Sequence, residues 1–141
     1  MEKRSVAGIA VRDGQVFVAQ RLPGGDLGGK WEFPGGKREA GESDQAALVR
    51  EYLEEFKLTI DVGRPVGESA FQHNGQAYSL AAWEIKLADQ PLQLAEHSAT
   101  AWVPASALAT LDLADSDRSL VPAVQAFMAR LGVCRALERE E

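Results

Sequence analysis

The stretch GGKREAGESDQAALVREYLEEF, residues 35–56, decides the reading of this chain. It opens on the pair Gly35 and Gly36 and closes on Arg50, Glu51, Glu54 and Glu55. Ser43 is a good N-cap, with Asp44 and Gln45 in the first turn, so a helix is expected from about Asp44 to Phe56. At about 100° per residue, Ala46, Val49, Leu53 and Phe56 form one apolar stripe, and Glu51, Glu54 and Glu55 fall opposite it. Their i, i+3, i+4 spacing brings like charges within about 5–6 Å at Cβ, in the helix end where the dipole disfavours anions. One reading is a solvated acidic face, partly offset by Arg50 acting on Glu54. The other is a divalent-cation site: carboxylate oxygens suit Mg²⁺ or Mn²⁺, and such ions commonly bridge carboxylates to substrate phosphates.

The whole sequence bounds these readings. Its 141 residues fit one domain, and its 45% hydrophobic and 26% charged composition is that of a globular protein. A net charge of −6 argues against a nucleic acid polymer as partner, because a polymer backbone asks for a basic surface. It does not argue against a small anion bridged by a metal. The single cysteine, Cys134, excludes an internal disulfide. The N-terminal apolar run is short and broken by Arg12 and Asp13, and no segment approaches membrane-spanning length. A cytoplasmic protein with no membrane partner is expected, either monomer or homodimer.

Around residues 35–56 the pattern is strands, helix, strands, helix. Val6–Val11 and Val16–Gln20 flank an Asp-Gly hairpin turn. Residues 22–30, LPGGDLGGK, read as a mobile loop, and residues 31–33, WEF, as a short strand stopped by Pro34. LTIDVG and VGESAFQ read as strands, and Asn74-Gly75 turns the chain into a return strand over Ala77–Leu87. Residues 99–104 make a further strand and residues 105–111 a short helix. A second full helix is expected over 117–132, with Pro122 in its first turn and Gly132 as its stop; residues 133–141 then form a flexible tail. His73 and His97 read as loop residues without a ligand role.

The spacing carries a resemblance. Five residues separate Gly36 from Glu42, seven more lead to Arg50, and REYLEEFKL follows. This resembles the Nudix box of the Nudix hydrolases, matched at Gly36, Glu42, Arg50, Glu51, Glu54, Glu55 and Leu58. Two positions depart from it. Tyr52 stands where an aliphatic residue is usual, and is expected on the flank of the apolar stripe. Lys57 stands where glycine is usual; a lysine at positive φ costs about 1 kcal/mol, or the helix ends differently.

The resemblance implies a single-domain fold of mixed α/β (α+β) character, an α/β/α sandwich around a mixed sheet over residues 1–132. It implies cleavage of a nucleoside diphosphate linked to another group, with Mg²⁺ or Mn²⁺ as cofactor. Glu51, Glu54 and Glu55, with the carbonyl of Gly35, would ligate metal. Glu51 or the loop acid Glu96 would take the proton from water. Arg50 would orient Glu51, and Glu42 would close the loop onto the helix.

Beyond the box, AQR, WEFPGGK and DLADSDRSL resemble the MutT-like branch, which cleaves (deoxy)nucleoside triphosphates to monophosphate and pyrophosphate. By that resemblance Arg21 and Lys37 would contact phosphate, Phe33 would line the base pocket, and Asp117 would read the base edge. An ionised Asp only accepts hydrogen bonds, which favours the donor edge of cytosine or guanine. Asp117 could equally cap the last helix. An oxidised purine or a (modified) cytidine nucleotide is the expected substrate. ADP-ribose or a dinucleotide, or nucleotide binding without catalysis, remain the alternatives.

Overall fold

The computed structural model describes residues 3–139, with side chains described to residue 132. The two sequence-evident turns form as expected. Asp13-Gly14 and Asn74-Gly75 both take positive φ in succession, the backbone of a two-residue hairpin. Asp13-Gly14 joins β1 (Lys3–Arg12) to β2 (Gln15–Arg21). Asn74-Gly75 joins β5 (Ile60–His73) to β6 (Gln76–Leu87), the other three strands being β3 (Trp31–Glu32), β4 (Gly35–Lys37) and β7 (His97–Pro104). The first hairpin opens after two residue pairs. β1 then pairs with β4 antiparallel and with β6 parallel, while β2 takes β3 and β7, both antiparallel. The result is a mixed seven-stranded sheet in the order β3-β2-β1-β6-β5, with β4 and β7 branching from β1 and β2.

Helices α1 (Asp44–Phe56) and α3 (Val121–Arg139) cover different sides of this sheet; α2 (Asp115–Arg118) is a single turn. Strand alternation sorts the core. Ile9, Val16 and Val18 pack with Leu120, Val124 and Phe127. Val6, Ala10, Phe17 and Ala19 pack with Leu48, Tyr52 and Phe56 of α1. A sheet covered on both faces needs strands apolar at successive positions, as VFVA over residues 16–19 is.

Several boundaries differ from the sequence reading. LTIDVG and VGESAFQ belong to one strand, β5, whose register shifts around Pro65. Pro65 is tolerated there because β5 lies at the sheet edge. Gly132 does not stop α3, which continues to Arg139; Gly132 has no positive φ and so makes no helix-ending turn. Residues 140–141 of the expected tail lie outside the described residues. Residues 117–132 are not one helix, since α2 and α3 are separate. His73 ends β5 and His97 opens β7, so neither is a loop residue.

The largest correction concerns α1. Ser43 caps it as expected, its hydroxyl accepting from the Ala46 N–H at 3.1 Å. Its buried face, however, is Asp44, Ala47, Leu48, Tyr52 and Phe56, whereas Val49 and Leu53 are 41% and 53% exposed. The helix is therefore turned so that Glu51 and Glu55 border the sheet. Tyr52 lies in the core, not on a flank. A methyl on Gly8 would stand 2.7 Å from the Tyr52 hydroxyl, so the missing side chain at Gly8 makes room for the phenol. Asp44 fixes the start of the helix: Arg4 forks onto its two oxygens at 2.8 and 2.7 Å, and Trp83 Nε1 donates to it at 3.1 Å. The Arg4 guanidinium holds the buried Asp44 carboxyl below the usual range.

At the other end, Lys57 adopts the left-handed conformation (φ 57°, ψ 33°) that glycine usually supplies. Its N–H reaches the Leu53 carbonyl at 3.1 Å, and the Leu58 N–H reaches that of Tyr52 at 3.3 Å. The exit geometry is thus the one a glycine would give. Among the described residues no helix is long and apolar enough to cross a membrane.

Candidate active site

Strand β4 carries Gly35 and Gly36 between β1 and α1. A methyl on Gly36 would lie 2.4 Å from the Glu51 carboxylate, so a side chain there would push that acid out of its place beside Arg50. Arg50 ties the same segment to the helix. It donates to Glu42 from Nε at 2.8 Å and from Nη2 at 3.0 Å, and to the Lys37 carbonyl at 3.0 Å. Its Nη1 reaches Glu51 at 2.9 Å and Glu54 at 3.4 Å. Arg50, helped by the Glu39 N–H, holds the Glu42 carboxyl down at about 2. The loop therefore keeps its charge on Glu42 at any ordinary pH.

The three helix carboxylates differ sharply in environment. The Glu54 side chain is exposed. Burial raises the Glu51 carboxyl, against the opposing pull of Arg50. Glu55 is pushed up to about 9, first by burial and then by the charges of Glu51 and Glu32. Its Oε2 is buried with no partner among the described residues. Glu96, exposed in the loop before β7, adds its charge to the same group. That loop is fastened to the end of α1, where Ala95 N–H donates to the Glu55 carbonyl at 3.2 Å and Gln93 N–H to that of Phe56 at 2.9 Å. Glu51, Glu55 and Glu96 thus converge, with Arg50 bonded to Glu51 and Glu54 of the same helix. Oxygen donors crowded in this way, one of them orphaned, fit a hard divalent ion.

Beside the acids, and sharing Gly36 with them, is a cavity of about 120 Å³. Arg21, Glu32, Phe33 and Asp117 line it together with Phe71 and Leu80. Asp117 does not cap α3; its Oδ2 accepts from the Phe33 N–H at 2.7 Å and its Oδ1 from the Ser116 hydroxyl at 3.2 Å. Burial, then the charge of Glu32, raises its carboxyl to about 7. Asp117 is therefore acceptor-only above about pH 7, and below it also carries an O–H donor. Phe33 is buried and contributes to this wall. Lys37 lies outside the cavity lining, its Nζ 5.9 Å from the centre of the Tyr78 ring.

Two buried polar residues escape a sequence reading. Glu32, 8% exposed, receives Arg21 Nη1 on one oxygen at 2.7 Å and lies 2.8 Å from His97 Nε2 on the other. His97 is 4% exposed and stacks on Phe56. Glu32, Glu55 and His97 each bring one potential ligand atom within 4.8 Å of the others. The available signal was an acid between two aromatic residues in an apolar strand, Trp31-Glu32-Phe33.

The comparisons with known proteins identify the family. The NUDIX domain family matches residues 1–124. The CTP pyrophosphohydrolase of Escherichia coli (strain K12) is 39% identical over 124 residues, covering 88% of this chain and 90% of that one. An 8-oxo-dGTP diphosphatase of Proteus vulgaris is 44% identical over 52 residues, covering 37% of this chain and 46% of its own length. Among solved structures, the E. coli ORF135 protein superposes with a TM-score of 0.81 at 37% identity, over 92% of this chain and 94% of that one. With the family matched across most of its length and its box folded as one constellation, the chain belongs to the NUDIX family.

Proposed function

We propose that this chain hydrolyses (deoxy)nucleoside triphosphates to the monophosphate and pyrophosphate, acting on the free nucleotide pool with Mg²⁺ or Mn²⁺. The observation that carries this reading is Glu55. Its buried, unpartnered oxygen beside Glu51 is stable only as a protonated acid or against a cation. A divalent ion held by Glu51, Glu54 and Glu55, with the Gly35 carbonyl, supplies charge neutralisation for the phosphates and a lowered pKa for water.

The chain's own groups do the rest. Arg50 fixes the Glu51 carboxylate at 2.9 Å, so that Glu51, or Glu96 from the loop, accepts the water proton. Arg21, at the cavity edge, offers its guanidinium to the phosphates. Phe33 forms a wall for the base, and Asp117 presents its carboxyl to the base edge. A cytosine or an oxidised guanine, each with N–H donors on its edge, suits that carboxyl, and the names of the similar proteins point the same way.

A panel of CTP, dCTP, 5-methyl-dCTP, 8-oxo-dGTP and ADP-ribose, assayed with Mg²⁺, tests the reading. Pyrophosphate release from a triphosphate supports it. Cleavage of ADP-ribose alone, or binding without turnover, refutes it.

A further inference from the structure

We propose that His97 and Glu32 are positioning residues that hold the Arg21 guanidinium at the cavity, through one continuous chain of hydrogen bonds. The inference rests on the reading of Arg21 as a phosphate ligand.

Arg21 is the last residue of β2, and its side chain is 45% exposed. An arginine so placed samples many rotamers unless something selects one. Among the described residues its side chain has one hydrogen-bonding partner, Glu32, at 2.7 Å. The guanidinium's remaining N–H donors are left for an anion. Glu32 cannot move aside, because its second oxygen is held 2.8 Å from His97 Nε2.

His97 is the fixed end of the chain. It faces Arg21 across the β2–β7 ladder, at the point where the register shifts. Its ring stacks on Phe56, with centroids 5.1 Å apart and planes 12° apart. Phe56 itself is fully buried in the α1 core. A carboxylate accepts, so the hydrogen-bond network assigns a proton to Nε2 and His97 donates to Glu32; Nδ1 is buried with no partner among the described residues. The order of parts is core ring, imidazole, carboxylate, guanidinium, cavity.

The rival role is metal ligation by Glu32, Glu55 and His97 together. It would give a hard ion such as Mg²⁺ an imidazole nitrogen as ligand, where that ion prefers oxygen, and it would draw Glu32 away from the Arg21 guanidinium it holds at 2.7 Å.

The test measures kcat, KM for the triphosphate best hydrolysed by the wild type, and the Mg²⁺ requirement. The variants are His97→Leu, His97→Gln, Arg21→Ala and the double variant that combines His97→Leu with Arg21→Ala. Loss of one hydrogen bond to a charged group predicts about a tenfold rise in KM for His97→Leu, with a smaller change in kcat. His97→Gln, whose amide reaches the place of Nε2, restores most of it. In the Arg21→Ala background, His97→Leu adds less than about twofold. Glu32→Gln turns an NH₂ group toward one of the two donors; it raises KM similarly and serves where His97→Leu does not fold.

Additive effects, or a raised Mg²⁺ requirement with unchanged nucleotide KM, overturn the inference while leaving the proposed function standing. A wild type that hydrolyses no triphosphate overturns both.

Discussion

The Tyr52 hydroxyl donates to the Pro34 carbonyl at 3.0 Å, inside the core and 18 residues back along the chain. This one bond fastens the middle of the acidic helix to the residue just before Gly35. An aliphatic side chain at position 52 would fill the same space without it. Tyr52→Phe leaves the packing intact and removes one of two donors to that carbonyl, which keeps the Gly8 N–H at 2.9 Å. The expected cost is about 1 kcal/mol, read by urea denaturation. Turnover should fall modestly as well, because the segment of Gly35 and Gly36 loses one of its ties to the helix that carries Glu51 and keeps the one through Arg50.

On the proposed reading, Glu55 links stability to metal. Its carboxyl titrates near 4.5 in an unfolded chain and at about 9 in the metal-free fold. Across that window the native state binds the extra proton, so metal-free stability falls as pH rises towards 9. Glu55→Gln should flatten the upper part of this profile while lowering kcat by about a hundredfold or more. Thermal melts with and without Mg²⁺ provide the second check. The ion should raise the midpoint of the wild type and leave that of Glu55→Gln nearly unchanged.

Asp117 acts lower on the pH scale. Its carboxyl rises from 3.8 to about 7 on folding, mainly through burial. Stability contributed by the protonated form is complete below about pH 4 and is lost as pH climbs through 7. Asp117→Asn keeps an oxygen for the Phe33 N–H, so it should fold and remove this pH dependence. Base preference should change too, since an amide offers donor and acceptor at every pH. Relative kcat/KM for dCTP and 8-oxo-dGTP at pH 6 and pH 8, in both proteins, reads that effect.

Lys57 holds a backbone conformation that costs a side chain about 1 kcal/mol. Lys57→Gly should therefore stabilise the protein by about that amount, raising the melting midpoint by about 3 °C. The cap geometry is already that of glycine, so kcat should not change. A destabilised Lys57→Gly variant would mean that the lysine side chain contributes something the cap geometry does not show.

The turns, the extent of α1 and the spacing of the acidic box were all legible in the sequence, because each depends on local chemistry. Ser43 caps its helix, and Asp13-Gly14 and Asn74-Gly75 turn their hairpins, through contacts within a few residues. The facing of α1 was not legible. Glu51 and Glu55 occupy positions on the sheet-bordering side that apolar residues would otherwise fill, while Val49 and Leu53 remain exposed. Chemistry had displaced the pattern that reveals a helix face. The continuity of β5 through Pro65 was not legible either, because a sequence does not say which strand lies at the edge. His97 looked bland because its partners, Glu32 and Phe56, lie 65 and 41 positions away, and only the β2–β7 pairing brings them together.

The loop that bears Glu96 is moored to the last carbonyls of α1 by Gln93 and Ala95, downstream of the exposed run at residues 89–92. The acid's address is therefore set from the helix, whatever the length of the tether that leads to it. Residues 91–92, past the Gln90 side chain that accepts the Thr59 N–H at 3.2 Å, offer a splice point: a reporter peptide or a dye-bearing insert grafted there would ride beside the acidic cluster without dislodging it.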